Sequence, residues 1–173
     1  MPFTPFHFGP GLLVKSLIPR RMSFTGFVAT QVTVDTETLY HLLAHIWPAH
    51  GPVHSLLGGS AVGIGTGALC WIAAKPWLPK IARLKEGRTS AQRQAIEGEL
   101  SFAGLIAGGF IGGASHSIID GAMHADVYPL WPFSKAQPWL GYINGEAVMA
   151  ICVAAGIAAC VILWSRLRRR EAV

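Results

Sequence analysis

Three apolar runs, Ser55 to Trp77, Leu100 to Ile119 and Glu146 to Trp164, set the terms on which this chain can fold. Each comes close to or exceeds the roughly 20 residues a helix needs to cross the hydrocarbon of a bilayer. Backbone polar groups in lipid have to be satisfied within their own segment, which restricts such runs to helices. The rest of the composition agrees: 51% of the 173 residues are hydrophobic, only 13% are charged, and the mean hydropathy is +0.42, unlike a soluble domain of this length. The expected fold is all-α, an integral membrane helical bundle of one domain over residues 1–173, with three full spans plus an N-terminal helical hairpin.

The flanks orient the spans. Lys80, Arg83, Lys85, Arg88 and Arg93 lie between the first two runs, preceded by Lys75 at the end of the first, and Arg166, Arg168, Arg169 and Arg170 follow the third, together ten of the fourteen basic residues. The loop at about 79–99 and the tail at 166–173 therefore share a side, which the positive-inside rule makes the cytoplasm. A net charge of +5 by itself would suit a nucleic-acid partner, but its residues are placed as membrane flanks, so the lipid bilayer is the expected partner and nucleic acid is not. The connection 120–145 then lies outside. It holds Tyr128, Trp131, Trp139 and Tyr142, suited to an interfacial belt, and Pro129, Pro132 and Pro138, which favour an irregular loop. In the N-terminal third, Phe8 to Pro19 and Met22 to Val34 read as two short helices joined at Pro19-Arg20-Arg21, a hairpin entering from outside. A helix of that length spans only about 18 Å, so the pair is expected to be tilted or buried. Cys70, Cys152 and Cys160 lie in apolar runs and read as packing residues.

All seven histidines and all three aspartates fall in segments that this topology puts on one side. Twenty residues from Leu100 bring Asp120 to the outer surface, about 30 Å away, and the count back from Lys75 brings His54 to the same level. Gly104, Gly108, Gly112, His116 and Asp120 recur every four residues, so a small-residue stripe that should face another helix leads into a His-x3-Asp pair. On the preceding span His54, Gly58, Ala61 and Gly65 share a face. Residues four apart are neighbours on a helix, so His50/His54 and His116/Asp120 each offer two donors to one ion or to adjacent ions. Imidazole with carboxylate suits Zn(II) best, with Mn(II) and Fe(II) as alternatives. His7 reads as a ligand or as a structural histidine. Asp35 and Glu37 are placed on an outer turn beside His41, His45 reads as packing or as a group supporting a ligand, and His124 and Asp126 read either as groups that orient ligands or as solvated loop residues.

With these residues in place, the chain resembles the bacterial membrane-bound metal-dependent hydrolases, the group that includes the LexA-regulated inner-membrane hydrolases. The resembling pieces are MPFTPFH at 1–7, QVTVDTETLYHLL at 31–43, HGPVHSLLGG at 50–59 and SHSIIDGAMHADVYPLWPF at 115–133. That group is distantly similar to the helical zinc-dependent phospholipases C and P1-type nucleases. The resemblance implies hydrolysis of a phosphoester, with His7, Asp35, His50, His54, His116 and Asp120 as metal ligands. This chain departs from it in reading Asp35-Thr-Glu37-Thr where many members have Asp-x-Asp-His.

The expected function is thus a hydrolase using metal-activated water on a small-molecule, lipid or envelope-derived substrate at the outer interface, with Glu37 or Asp126 as general base. The alternative is a non-enzymatic metal binder, a transporter or a sensor. A transporter wants ionisable groups near the bilayer centre, and the inner halves of the long runs have no ligand residue. A purely structural subunit accounts for the glycines and leaves the segregated histidines without a reason.

Overall fold

Serine followed three residues later by glycine opens the helices that build the bundle. Ser23, Ser55 and Ser101 each have extended backbone, and each side chain accepts a hydrogen bond from the amide of Gly26, Gly58 or Gly104. The hydroxyl satisfies one of the amides that a helix start leaves unpaired. The computed structural model describes residues 5–84 and 90–171. Met1 to Thr4, the head of the first resembling motif, and residues 85–89 of the basic loop lie outside the described residues, as do the last two residues of the tail. Among the described residues the regular structure is entirely helical: α1 Phe8–Leu17, α2 Phe24–Leu43, α3 Leu56–Ala74, α4 Leu78–Leu84, α5 Ser90–Leu100, α6 Phe102–Met123 and α7 Gly145–Glu171. Three stretches are long and apolar enough to cross a membrane, Leu56–Ile81, Phe102–Met123 and Gly145–Arg166.

The centre of the bundle is the packing of α6 against α3 and α2. A Cβ added to Gly59, Gly63 or Gly67 would overlap the carbonyl of Gly113, Gly109 or Leu105 respectively. The partner falls as the α3 number rises, so the two helices run antiparallel with backbones in contact, and a side chain between them would force them apart. On its other side α6 sets Gly108 against the Ser23 carbonyl and Gly112 against that of Phe27. The glycine stripe of α6 therefore faces a helix as expected, and that helix is α2. The stripe expected on α3 is displaced: Gly65 meets nothing within 4 Å, and the contact face is Gly59, Gly63 and Gly67. The reason is local. His54 ends a separate 3-10 turn, Pro52–His54, and α3 starts afresh after the Ser55 cap, so helical phase does not carry over from His54.

Two further expectations change. Helix α2 does not stop at Val34 but continues to Leu43, so Asp35 and Glu37 are helical and not on a turn. Thr and Asp are weak helix formers. Here the face Phe27, Thr30, Gln31, Val34, Asp35 and Thr38 is buried, and packing overrides propensity. The N-terminal hairpin is not confirmed, because α1 packs chiefly on α7 and touches α2 little.

The end of the bundle away from the histidines is held by Glu99. Its carboxylate accepts from the amides of Phe24 and Thr25 and from the Ser23 hydroxyl, at the N-terminus of α2. Anions are favoured there by the unpaired amides and the helix dipole. Lys15 Nζ lies 2.5 Å from Glu99 Oε1 and donates to the Pro19 and Met22 carbonyls. Burial pushes the Glu99 carboxyl up, but Lys15 and the α2 amides outweigh it and hold it below its ordinary value. Arg166 near the end of α7 donates to the Ser16 carbonyl.

Candidate metal centre

Antiparallel α3 and α6 place the start of one beside the end of the other, and this is where the histidines and aspartates collect. Asp35 from α2, His54 from the turn before α3, and His116 and Asp120 from the last turns of α6 are all buried, and each offers a ligand atom within 4.8 Å of the others. His116 Nε2 is 3.1 Å from Asp120 Oδ2 and 3.5 Å from Asp35 Oδ1, and His54 Nε2 is 3.8 Å from Asp120 Oδ2. A second group, His50, Asp120 and His124, satisfies the same spacing and shares Asp120 with the first. The His50 ring stands 4.8 Å from that of His54 and 4.6 Å from that of His124. His7, only 2% exposed at the end of the turn Pro5–His7, brings Nε2 to 3.3 Å from Asp120 Oδ1.

The hydrogen bonds behind the rings set their tautomers. His54 Nδ1 lies 3.0 Å from Glu37 Oε2, His50 Nδ1 2.9 Å from Asp126 Oδ1, and His116 Nδ1 2.5 Å from Gln31 Oε1. The Gln31 amide is itself oriented, since its Nε2 donates to the Gly112 carbonyl. Each of the three acceptors takes a proton and has none to give when the carboxylates are ionised, so each Nδ1 is the donor and Nε2 is the nitrogen through which a neutral ring would bind an ion. A carboxylate or carbonyl behind a histidine is the usual support of a metal-ligating ring.

The centre itself is not satisfied by hydrogen bonds. Nε2 of His116, Oδ1 of Asp120 and both ring nitrogens of His7 are buried, and none has a partner in hydrogen-bond geometry despite the short separations. Leaving a buried polar atom unpaired costs about 1–3 kcal/mol. His54 Nε2 does have such a neighbour, the Thr38 hydroxyl at 3.2 Å. Asp35 and Asp120 also put two carboxylates into one buried space, a charge that a divalent cation would balance. Orphaned atoms on His7, His116 and Asp120, imidazoles in the ligating tautomer and two carboxylates in one buried space all fit a metal.

The six expected ligands thus converge, with His50 in the second group and His7 against Asp120. The helical i,i+4 reasoning holds for His116/Asp120 only, because His50 and His54 are brought together by a non-helical segment and a turn. Glu37 and Asp126, expected as candidate bases, stand behind histidines as their acceptors. Glu37 also receives the amides of Gly51 and Val53, and a Cβ at Gly51 would strike its carboxylate. Asp126 receives the His50 amide, and although burial pushes it up, the bonds and charge of His50 hold it below its ordinary value. Burial likewise keeps the His124 ring below its ordinary value, favouring the neutral form that binds metals. His41 accepts no part in the centre: its Nδ1 donates toward the Pro48 and Ala49 carbonyls, and His45 is exposed beyond the end of α2. Gln31 and Thr38 were not foreseen, although polar residues at 31, 35 and 38 of one helix share a face. No protein-family profile, no curated protein and no solved structure matches this chain.

Proposed function

We propose that this protein is a membrane-bound, metal-dependent hydrolase of the bacterial inner membrane, with its centre facing outside and acting on a phosphoester. The observation that carries the reading is the set of buried, unpartnered atoms on His7, His116 and Asp120, next to histidines whose proton is committed on the other side. Asp35, His54, His116 and Asp120 would hold one ion, Zn(II) by preference, and His50, Asp120 and His124 a second. Such an ion would supply Lewis acidity for a phosphoryl oxygen and for a water molecule. In the hydrolysis water oxygen would bond to phosphorus as the bond to the ester oxygen breaks, and the proton given up by the water would end on the leaving alkoxide. Glu37, Asp126 and Gln31 keep the imidazoles aimed, and His7 stands against Asp120 Oδ1.

The location at one end of the bundle favours hydrolysis over transport, because the other halves of α3 and α6 contribute glycine and aliphatic residues to their contact. The test is metal analysis of the purified protein followed by a panel of phosphomonoesters, phosphodiesters and acyl esters. Bound zinc, lost in His116→Ala, with turnover of a phosphoester is the expected result. Metal bound without turnover, together with metal uptake into vesicles, would establish the transporter instead.

A further inference from the structure

Beside the second ligand group lies a cavity of about 190 Å3, lined by His50, Gly51, Tyr128, Trp131 and Lys135 among others. Lys135 is the one lysine or arginine between Arg93 and Arg166. The end of the bundle that gathers the histidines therefore receives a single permanent positive charge from this stretch, and it borders the space next to His50. A compact anion such as a phosphate fits that chemistry, since an ammonium group is a point-charge phosphate binder.

A second, apolar groove of about 510 Å3 adjoins the first and is bordered by Leu56, Leu57, Phe110, Leu130, Trp131 and Phe133. Trp131 belongs to both walls. The partition between them is built: Leu56 N donates to the Pro129 carbonyl, anchoring the loop to the start of α3, and Trp131 N and Phe133 N close successive turns on Tyr128 and Leu130. Leu57 of α3, Phe110 of α6 and Phe133 of the loop that follows α6 are exposed along the groove. A chamber next to His50 that carries the Lys135 ammonium at its edge and an apolar groove between α3, α6 and the loop thus meet at one tryptophan.

We propose that the two compartments bind the two ends of one substrate, a single-chain amphiphile with a phosphate head. The head sits in the Lys135 cavity beside His50, and the chain lies in the groove along Leu57 and Phe110. The inference rests on the hydrolase reading and gives it a substrate class. Lys135 recognises the anion and Trp131 separates head from tail, while the ligand groups do the chemistry.

Non-hydrolysable probes test this without turnover. Zinc-loaded protein in lipid nanodiscs is titrated calorimetrically with methylphosphonate and hexylphosphonate, with empty nanodiscs as the blank. Hexylphosphonate is expected to bind at least roughly tenfold more tightly, from burial of its chain. Lys135→Gln should weaken both probes, by about tenfold, as loss of a charged hydrogen bond does. Leu57→Trp, which fills the groove from an exposed position, should weaken hexylphosphonate and leave methylphosphonate unchanged. Equal affinity of the two probes for the unaltered protein, or no effect of Lys135→Gln on either, overturns the proposal. Metal content is read on the same samples: protein that takes up no metal overturns the hydrolase reading and this inference with it, whereas metal-loaded protein indifferent to chain length overturns this inference alone.

Discussion

Asp120 is the residue on which the centre turns, because it belongs to both ligand groups and also meets His7. Asp120→Asn is therefore expected to abolish metal binding in both groups, while His124→Ala should leave the first group loaded, so that metal analysis of the two variants reads near zero and one equivalent. The histidines depend in turn on the groups behind them. Glu37→Gln keeps the shape of the side chain and removes the charge that fixes the His54 tautomer, and metal affinity should fall about 10–100-fold in a competition titration with a chelator. An unchanged affinity would mean that Glu37 serves only the amides of Gly51 and Val53. At this scale much was legible in the sequence: His116 and Asp120 are four apart on one helix, and that spacing alone makes them neighbours. The role of Glu37 was not, because it depends on a contact with a turn seventeen residues later.

Among the elements, α3 and α6 are held by glycines whose positions differ sharply in cost. Gly63→Ala puts a methyl into the Gly109 carbonyl and should lower stability by about 1–3 kcal/mol. Gly65→Ala, two residues on, meets nothing within 4 Å and should be neutral or stabilising by up to about 1 kcal/mol through helix propensity. Thermal midpoints of the two variants in one detergent compare them directly, and equal loss would contradict the packing. Helix α2 carries its own pH dependence. The Glu99 carboxyl is held below its ordinary value in the folded protein, so the stability it contributes is complete above the unfolded value and disappears as pH falls through the lower folded one. Glu99→Gln should thus destabilise at pH 7, by about 1–2 kcal/mol for a charged hydrogen-bond set that is partly exposed, and the gap between variant and unaltered protein should close in acid. The face that α3 presents was misread from sequence for an element-scale reason: a proline-led 3-10 turn resets the helical phase at Ser55, and periodicity counted across it assigns the wrong glycines.

For the whole molecule, chain order along the spans puts the histidine cluster and the 124–144 connection at one end and the basic flanks at the other. In whole cells an impermeant maleimide should label Ala136→Cys and should reach Lys80→Cys only after permeabilisation; the reverse pattern would turn the centre toward the cytoplasm. The sequence by itself determined that the chain is helical, that three stretches are fit to cross a membrane, and that the ligand residues collect at one level, because run length and rise per residue are properties of a single helix. It also marked His7, Asp35, His50, His54, His116 and Asp120. Only the tertiary structure decided that α1 lies on α7 instead of pairing with α2, that α2 runs on through Asp35, that Asp120 serves two groups, and that Glu37, Asp126 and Gln31 stand behind the rings. Those facts arise from contacts between remote segments, where packing outweighs local propensity, and no spacing along one strand of chain encodes which face of one helix will meet another.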